Sequence, residues 1–151
     1  MTASPANEDP DALGAVQRLL QRGEVANALE TLNSLADGAQ SSVMGQYMRG
    51  VCFRLMRDFA NAESALRQLV EGNPSYGRAF QELGHLYRDA NMPTEALNAY
   101  ATACHLNPSL KASWAAQRDL IGKGSPERAA QINQRLQWLE SLPPALSASW
   151  D

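Results

Sequence analysis

Isoleucine and valine are scarce in this chain, 2 and 5 of 151 residues, against 24 alanines and 19 leucines. Branched residues suit strands while alanine and leucine suit helices, so this imbalance excludes a sheet-based fold. Cysteine is too rare for a disulfide scaffold, and Cys52 and Cys104 are expected to be free thiols in a reducing compartment. Positive charge is lacking as well. Lys+Arg of 13 against Asp+Glu of 16 gives a net charge of −3, without the cationic field that phosphate backbones require. Nucleic acid is therefore excluded as a partner. No apolar run approaches the roughly 18 residues needed to span a bilayer, and the opening MTASPANEDPDA carries no cationic leader. A soluble, cytoplasmic chain with no membrane partner is expected.

Catalytic signatures are missing too. The chain has no phosphate loop, no H-E-x-x-H, no C-x-x-C pair, no G-x-S-x-G elbow and only two histidines. This predicts no catalytic residue, no metal site and no cofactor. Cys52 and His85 could be imagined as a thiol and imidazole dyad, but no orienting carboxylate motif accompanies them. A buried thiol and an exposed histidine are the expectation. His105, near a helix end, is read as a partner of the helix dipole.

What the chain has is a 34-residue period. Ala28, Ala62 and Ala96 lie 34 apart, as do Gly50 and Gly84, Pro74 and Pro108, and the bulky series Leu19, Phe53, Tyr87 and Ile121. Leu32, Leu66 and Tyr100 form another series. Phe80, Leu83, Gly84 and Tyr87 fall at i, i+3, i+4 and i+7, one face of a helix. Breaks at Gly23, Arg57-Asp58, Asn91-Met92-Pro93 and 122–125 separate the helices within a repeat, and Asn73-Pro74-Ser75 and Asn107-Pro108-Ser109 separate repeats. The serine of each triplet is a natural cap for the helix that follows. Eight helices in four antiparallel pairs follow, at 10–22, 25–37, 42–56, 59–72, 76–90, 93–106, 109–122 and 126–140. Residues 1–8 read as a disordered lead, 9–142 as the helical repeat domain, and 143–151 as a tail or the start of a linker.

Residues 77–108, with Phe80, Leu83, Gly84, Tyr87, Ala96, Tyr100, Ala103 and Pro108 in place, resemble the tetratricopeptide repeat. The resemblance extends over roughly residues 9–142 and implies an all-α, right-handed superhelical solenoid of about four repeats. Three departures stand out. Gln46 and Arg49 occupy places the family fills with apolar residues, the first repeat lacks the glycine and the closing proline, and the last loses one residue in its loop, which puts Ala129 at the alanine place. Gly50 and Gly84 sit inside helices at a cost of about 1 kcal/mol, which close helix approach would offset, with Ala62 and Ala96 as the small partners.

At about 100° per residue, one set of positions on each first helix falls opposite the packing face. That set comprises Leu13, Gln17, Leu20 and Gln21; Met44, Tyr47, Val51, Arg54 and Leu55; Arg78, Gln81, His85, Arg88 and Asp89; and Ala112, Ala115, Asp119 and Lys123. In the family that this chain resembles, this side lines a concave groove that binds protein or peptide. Its middle is basic and aromatic, so Tyr47, Val51, Arg54, Arg78, Gln81, His85, Arg88 and Asp119 are read as ligand-groove residues that favour acidic segments. Arg54 and Arg88 are expected to face solvent. The lysine and asparagine clamp used by chaperone-tail-binding members is absent. A non-catalytic binding scaffold is the leading reading.

The stretch from Gln137 to Leu146 also resembles the junction that precedes the enzyme domain in bacterial tetratricopeptide-sulfotransferase proteins, which implies the alternative of a repeat region in a larger enzyme. Trp138 lies off the inward stripe of Ala129, Ile132, Leu136 and Leu139. A homo-oligomer through the C-terminal helix pair is the expected use of Trp138.

Overall fold

The computed structural model describes residues 11–143, and all their regular structure is helical. The lead at 1–8 and the tail from residue 144 onward lie outside the described residues, as does the side chain of Lys123. In order come α1 (Ala12–Gln21), α2 (Val25–Asn33), α3 (Asp37–Ser41), α4 (Val43–Leu55), α5 (Phe59–Gly72), α6 (Gly77–Asp89), α7 (Pro93–Leu106), α8 (Lys111–Ile121) and α9 (Pro126–Ser141), with a 3₁₀ turn at Gly122–Gly124 before α9. None of these helices is long and apolar enough to cross a membrane. Eight helices were expected, and the short α3 is the addition. The serine caps are a second correction. α6 and α8 begin after Tyr76 and Leu110, neither with a side-chain cap; before α8 the Asn107 carboxamide accepts from both the amide and the hydroxyl of Ser109 and holds it in the preceding turn.

The chain divides after Asn73 into two compact units. In the first, α1, α2 and α4 enclose Val16, Ala28, Leu32, Met48 and Cys52, and α5 adds the buried Ala62, Leu66 and Leu69. In the second, α6 to α9 bury Leu83, Leu86, Tyr87, Tyr100, Ala103, Ile132 and Leu139, among others.

The 34-residue period is written into the backbone of the turns. Gly23, Arg57 and Asn91, spaced at that interval, all take positive φ, at 78°, 62° and 59°. At each one the next residue's amide reaches back to a carbonyl five residues earlier: Glu24 to Leu19, Asp58 to Phe53 and Met92 to Tyr87, at 2.8–2.9 Å. This is the Schellman end of a helix, and it fixes where the following helix sets off. A left-handed arginine costs about 1 kcal/mol, and Arg57 offsets part of that by placing its guanidinium 4.8 Å over the Phe59 ring. The fourth turn, one residue shorter, takes the 3₁₀ form instead.

The helical glycines meet long side chains, which corrects the expected glycine-to-alanine contact. A Cβ on Gly50 would lie 2.5 Å from Leu66, and one on Gly84 would lie 2.6–2.9 Å from three atoms of the Tyr100 ring. Ala62 and Ala96 are fully buried beside them.

Gln46 and Arg49 are explained by α3. The Gln46 amide donates to the Ser41 carbonyl at 2.6 Å, and Arg49 donates to the Asn33 and Gln40 side chains, the latter at 2.9 Å. Gln40 in turn donates to the carbonyls of Leu35 and Asn33 at 2.7 and 3.1 Å. Polar side chains therefore stand where apolar ones are usual because they tie down a helix that the 34-residue pattern does not contain. Gly45 completes the fit, since a Cβ there would run into the Ala39 carbonyl.

Substituting Gly84 with alanine gains about 1 kcal/mol of helix propensity, and the clash with the Tyr100 ring loses about 2–3 kcal/mol, the upper part of the overpacking range, so net destabilisation of about 1–2 kcal/mol is expected in urea unfolding. The sign should reverse in a Tyr100→Ala background, where the ring no longer opposes the new methyl. Destabilisation by Gly84→Ala in both backgrounds would contradict this account.

Candidate functional site

α6 buries Ala79, Glu82, Leu83, Leu86 and Tyr87 and turns Arg78, Gln81, His85 and Arg88 to the other side, in helical register at i, i+3, i+7 and i+10. The structure thus brings four of the expected groove residues onto one face of one helix. Arg88 is exposed, while Arg78, Gln81 and His85 are half-buried. His85 Nδ1 lies 2.5 Å from the Tyr100 hydroxyl with the two rings edge to face, and the Arg88 guanidinium stands 5.6 Å from the Tyr100 ring centre. The histidine is therefore anchored to a buried phenol, where an exposed ring was expected. The period placed Tyr100 in the leucine series, and its hydroxyl is the feature that the pattern could not value.

Gln81 is tied down as well. Its carbonyl oxygen accepts from Ser113 at 2.7 Å, linking α6 to α8. Ser113 is fully buried and was not anticipated as part of the site. Asp119 is exposed and accepts from its neighbour Arg118 at 3.3 Å. Beside Arg78, burial pushes the Tyr76 phenol above its ordinary range, with the nearby guanidinium opposing the shift.

The first unit presents a different surface. Met44 and Leu55 of α4 are exposed and Tyr47 and Val51 half-buried, forming an apolar row, with Tyr47 packed against that unit's core. Arg54 is half-buried rather than solvent-facing, so charge reversal there would disturb packing together with any binding.

On α9, Ile132, Leu136 and Leu139 are buried, and Trp138 remains 49% exposed. Arg135 sits between two indoles, 5.7 Å from the centre of Trp114 and 5.3 Å from that of Trp138. Trp114 itself is fixed by its indole N–H, which donates to the Pro108 carbonyl at 2.8 Å.

No group of three His, Cys, Asp or Glu side chains among the described residues is arranged to hold a metal. No family model matches the chain. A crystal structure of MamA, a tetratricopeptide-repeat protein, superposes with a TM-score of 0.71 at 20% identity, over 88% of this chain and 81% of that one. MamA from Desulfovibrio magneticus RS-1, from residue 41 to its end, gives 0.66 at 16% identity, over 96% and 78%. These likenesses show the all-helical repeat fold. The chain is also 27% identical over 106 residues to the barley (Hordeum vulgare) protein named probable UDP-N-acetylglucosamine--peptide N-acetylglucosaminyltransferase SPINDLY. That match spans 70% of this chain and 11% of the relative.

Both cysteines are buried, which pushes the Cys52 thiol up to about 11 and the Cys104 thiol up to about 12. Arg49 acts against the first shift, and the Gln117 amide, 3.1 Å from the Cys104 sulfur, against the second. The thiolate is the nucleophile, so neither thiol should react measurably with a disulfide reagent at pH 8 in the folded protein, while both should react at once in urea. Burial favours the neutral form. The stability this contributes is therefore complete below the unfolded thiol's value of 9.0 and is lost as pH rises through about 11–12. Rapid reaction of either thiol in the native state would overturn this reading.

Proposed function

We propose that this chain, a tetratricopeptide-repeat protein by its fold and its 34-residue signature, is a non-catalytic scaffold for protein or peptide ligands, and that the α6 face of the second unit takes acidic segments. The observation that carries the reading is the row Arg78, Gln81, His85 and Arg88, held on one side of α6 by a buried opposite face and by fixed partners. His85 rests on Tyr100, Gln81 on Ser113 and Arg88 over the Tyr100 ring. Side chains ordered before binding lose less entropy when a ligand arrives. Arginine adds paired donors that match a carboxylate. The apolar row on α4 serves the same purpose for aliphatic side chains within the first unit.

A fluorescent peptide alternating Glu and Leu should bind the intact protein with an affinity that falls as salt rises, because the charges on this face are partly solvated. Arg88→Glu, at an exposed position, should weaken binding about five- to tenfold without changing the circular dichroism spectrum. Binding unaffected by both salt and Arg88→Glu would remove the α6 face as the acidic site.

Two further readings rest on separate observations. The curated relative is a transferase, and this chain spans 11% of its length, which favours the chain as the repeat region of a larger protein whose chemistry lies elsewhere. The chemistry in that name is N-acetylglucosaminyl transfer, so the sulfotransferase likeness of the tail gains nothing from it. Trp138 favours self-association through α9, since Arg135 already holds the half-exposed indole in place and burying it against a second copy costs little further ordering. Sedimentation should then show a dimer that Trp138→Glu dissolves, and a monomer at every concentration would reject it.

A further inference from the structure

We infer that the first unit carries a second binding site, a polar cleft that takes the main chain of a short peptide, on the side of α4 turned away from the Met44, Tyr47, Val51 and Leu55 row. The cleft has a volume of about 640 Å³ and lies between α3, α4 and the C-terminal half of α5. That volume is within the range of small-ligand sites, about 300–1,000 Å³. Its α3–α4 wall is fixed by the hydrogen bonds that tie Gln40, Gln46 and Arg49 to the α2–α3 segment, so that side does not have to be assembled by the ligand.

The lining decides the ligand class by elimination. Four carboxamides contribute to it, from Gln40, Gln46, Gln68 and Asn73, together with one guanidinium, Arg49, and one carboxylate, Asp37. The opposite charges of Arg49 and Asp37 leave the cleft neutral overall, two of the five Arg49 donors are committed to Asn33 and Gln40, and the Asp37 carboxylate repels a phosphate or other strong anion, so the cleft favours an uncharged ligand. A single carboxylate cannot form a cation site. The lining has no aromatic platform for a sugar ring, and its only apolar side chain is an alanine, which rules out a greasy ligand.

What remains is a ligand that is uncharged and offers donors and acceptors side by side, which describes the peptide group. A primary carboxamide offers the complementary pair, N–H₂ and C=O, in one plane. Among the described residues the Gln68 carboxamide and the Asp37 carboxylate have no hydrogen-bond partner, and Gln46 uses its N–H₂ on Ser41 while its carbonyl oxygen has none. Acceptors for main-chain N–H groups are thus present beside the donors of Gln68. Recognition here would read backbone and not side chains, so it is independent of the acidic preference proposed for α6.

The test uses the whole 151-residue chain, labelled with nitrogen-15, and N-acetyl-tetraalanine amide, a capped peptide with no charge and no polar side chain. Saturable shifts of the Gln46, Gln68 and Asn73 side-chain amide signals in the millimolar range are expected, unchanged by Arg88→Glu. Gln68→Leu, an exposed position on α5 that keeps good helix propensity, should weaken binding at least about fivefold, with circular dichroism reporting an intact fold. Maltotriose and inorganic phosphate should produce no saturable shift at these residues. The proposal is overturned by absence of a saturable shift at about 10 mM peptide, by shifts that leave these amides untouched, by unchanged affinity in Gln68→Leu, or by equal binding of maltotriose or phosphate.

Discussion

Each helical hairpin depends on how closely its two helices meet at one crossing point, and the sixteen-residue step from Gly50 to Leu66 and from Gly84 to Tyr100 marks it. With hydrogen in place of a side chain, the first helix lets the second lay a leucine or a tyrosine directly on its backbone. The corresponding pair in the first hairpin is Val16 and Leu32, both fully buried, where two side chains share the space that glycine would have vacated. In the last, allowing for the shortened loop, it is Arg118 and Asn133, joined by a hydrogen bond of 3.1 Å. The crossing point therefore passes from apolar at the start of the chain to polar at its end. A glycine at this point is found in the two central hairpins.

Close approach at α6 and α7 also builds the surface proposed to bind. Because Gly84 admits the Tyr100 ring, the phenol reaches the far side of α6, where its hydroxyl meets His85 and its face meets Arg88. One buried side chain thus joins hairpin packing to the orientation of two groove residues. α8 contributes in the same manner through Ser113, whose only exposure is to the helix it supports. Core and binding face are not separable here, since the core sets the rotamers that a ligand would meet.

The first unit resolves a different problem. Gln46 and Arg49 would be destabilising at the apolar places they occupy if they faced a hydrocarbon core, because a buried donor without a partner costs about 1–3 kcal/mol. Donors of both are instead engaged by α3 and by Asn33, at the cost of an open polar cleft beside α5. A departure from the repeat pattern has become a surface with a chemistry of its own.

The period, the helix pairs and the positions of the turns were legible in the sequence because each rests on local chemistry that repeats every 34 residues: a residue able to take positive φ after each first helix, a small residue at the crossing, and apolar side chains at helical spacing. The outward placement of Arg78, Gln81, His85 and Arg88 followed from the same periodicity. What tertiary structure alone decided was everything that depends on a partner distant in sequence. The hydroxyl of Tyr100 beneath His85, Ser113 beneath Gln81, the half-burial of Arg54 and the short α3 held by Gln40, Gln46 and Arg49 all arise from contacts between segments. No periodic pattern encodes such contacts, since the hydrogen-bonding partner of a side chain is set by where the backbone carries its neighbours, and that is fixed only once the helices have packed.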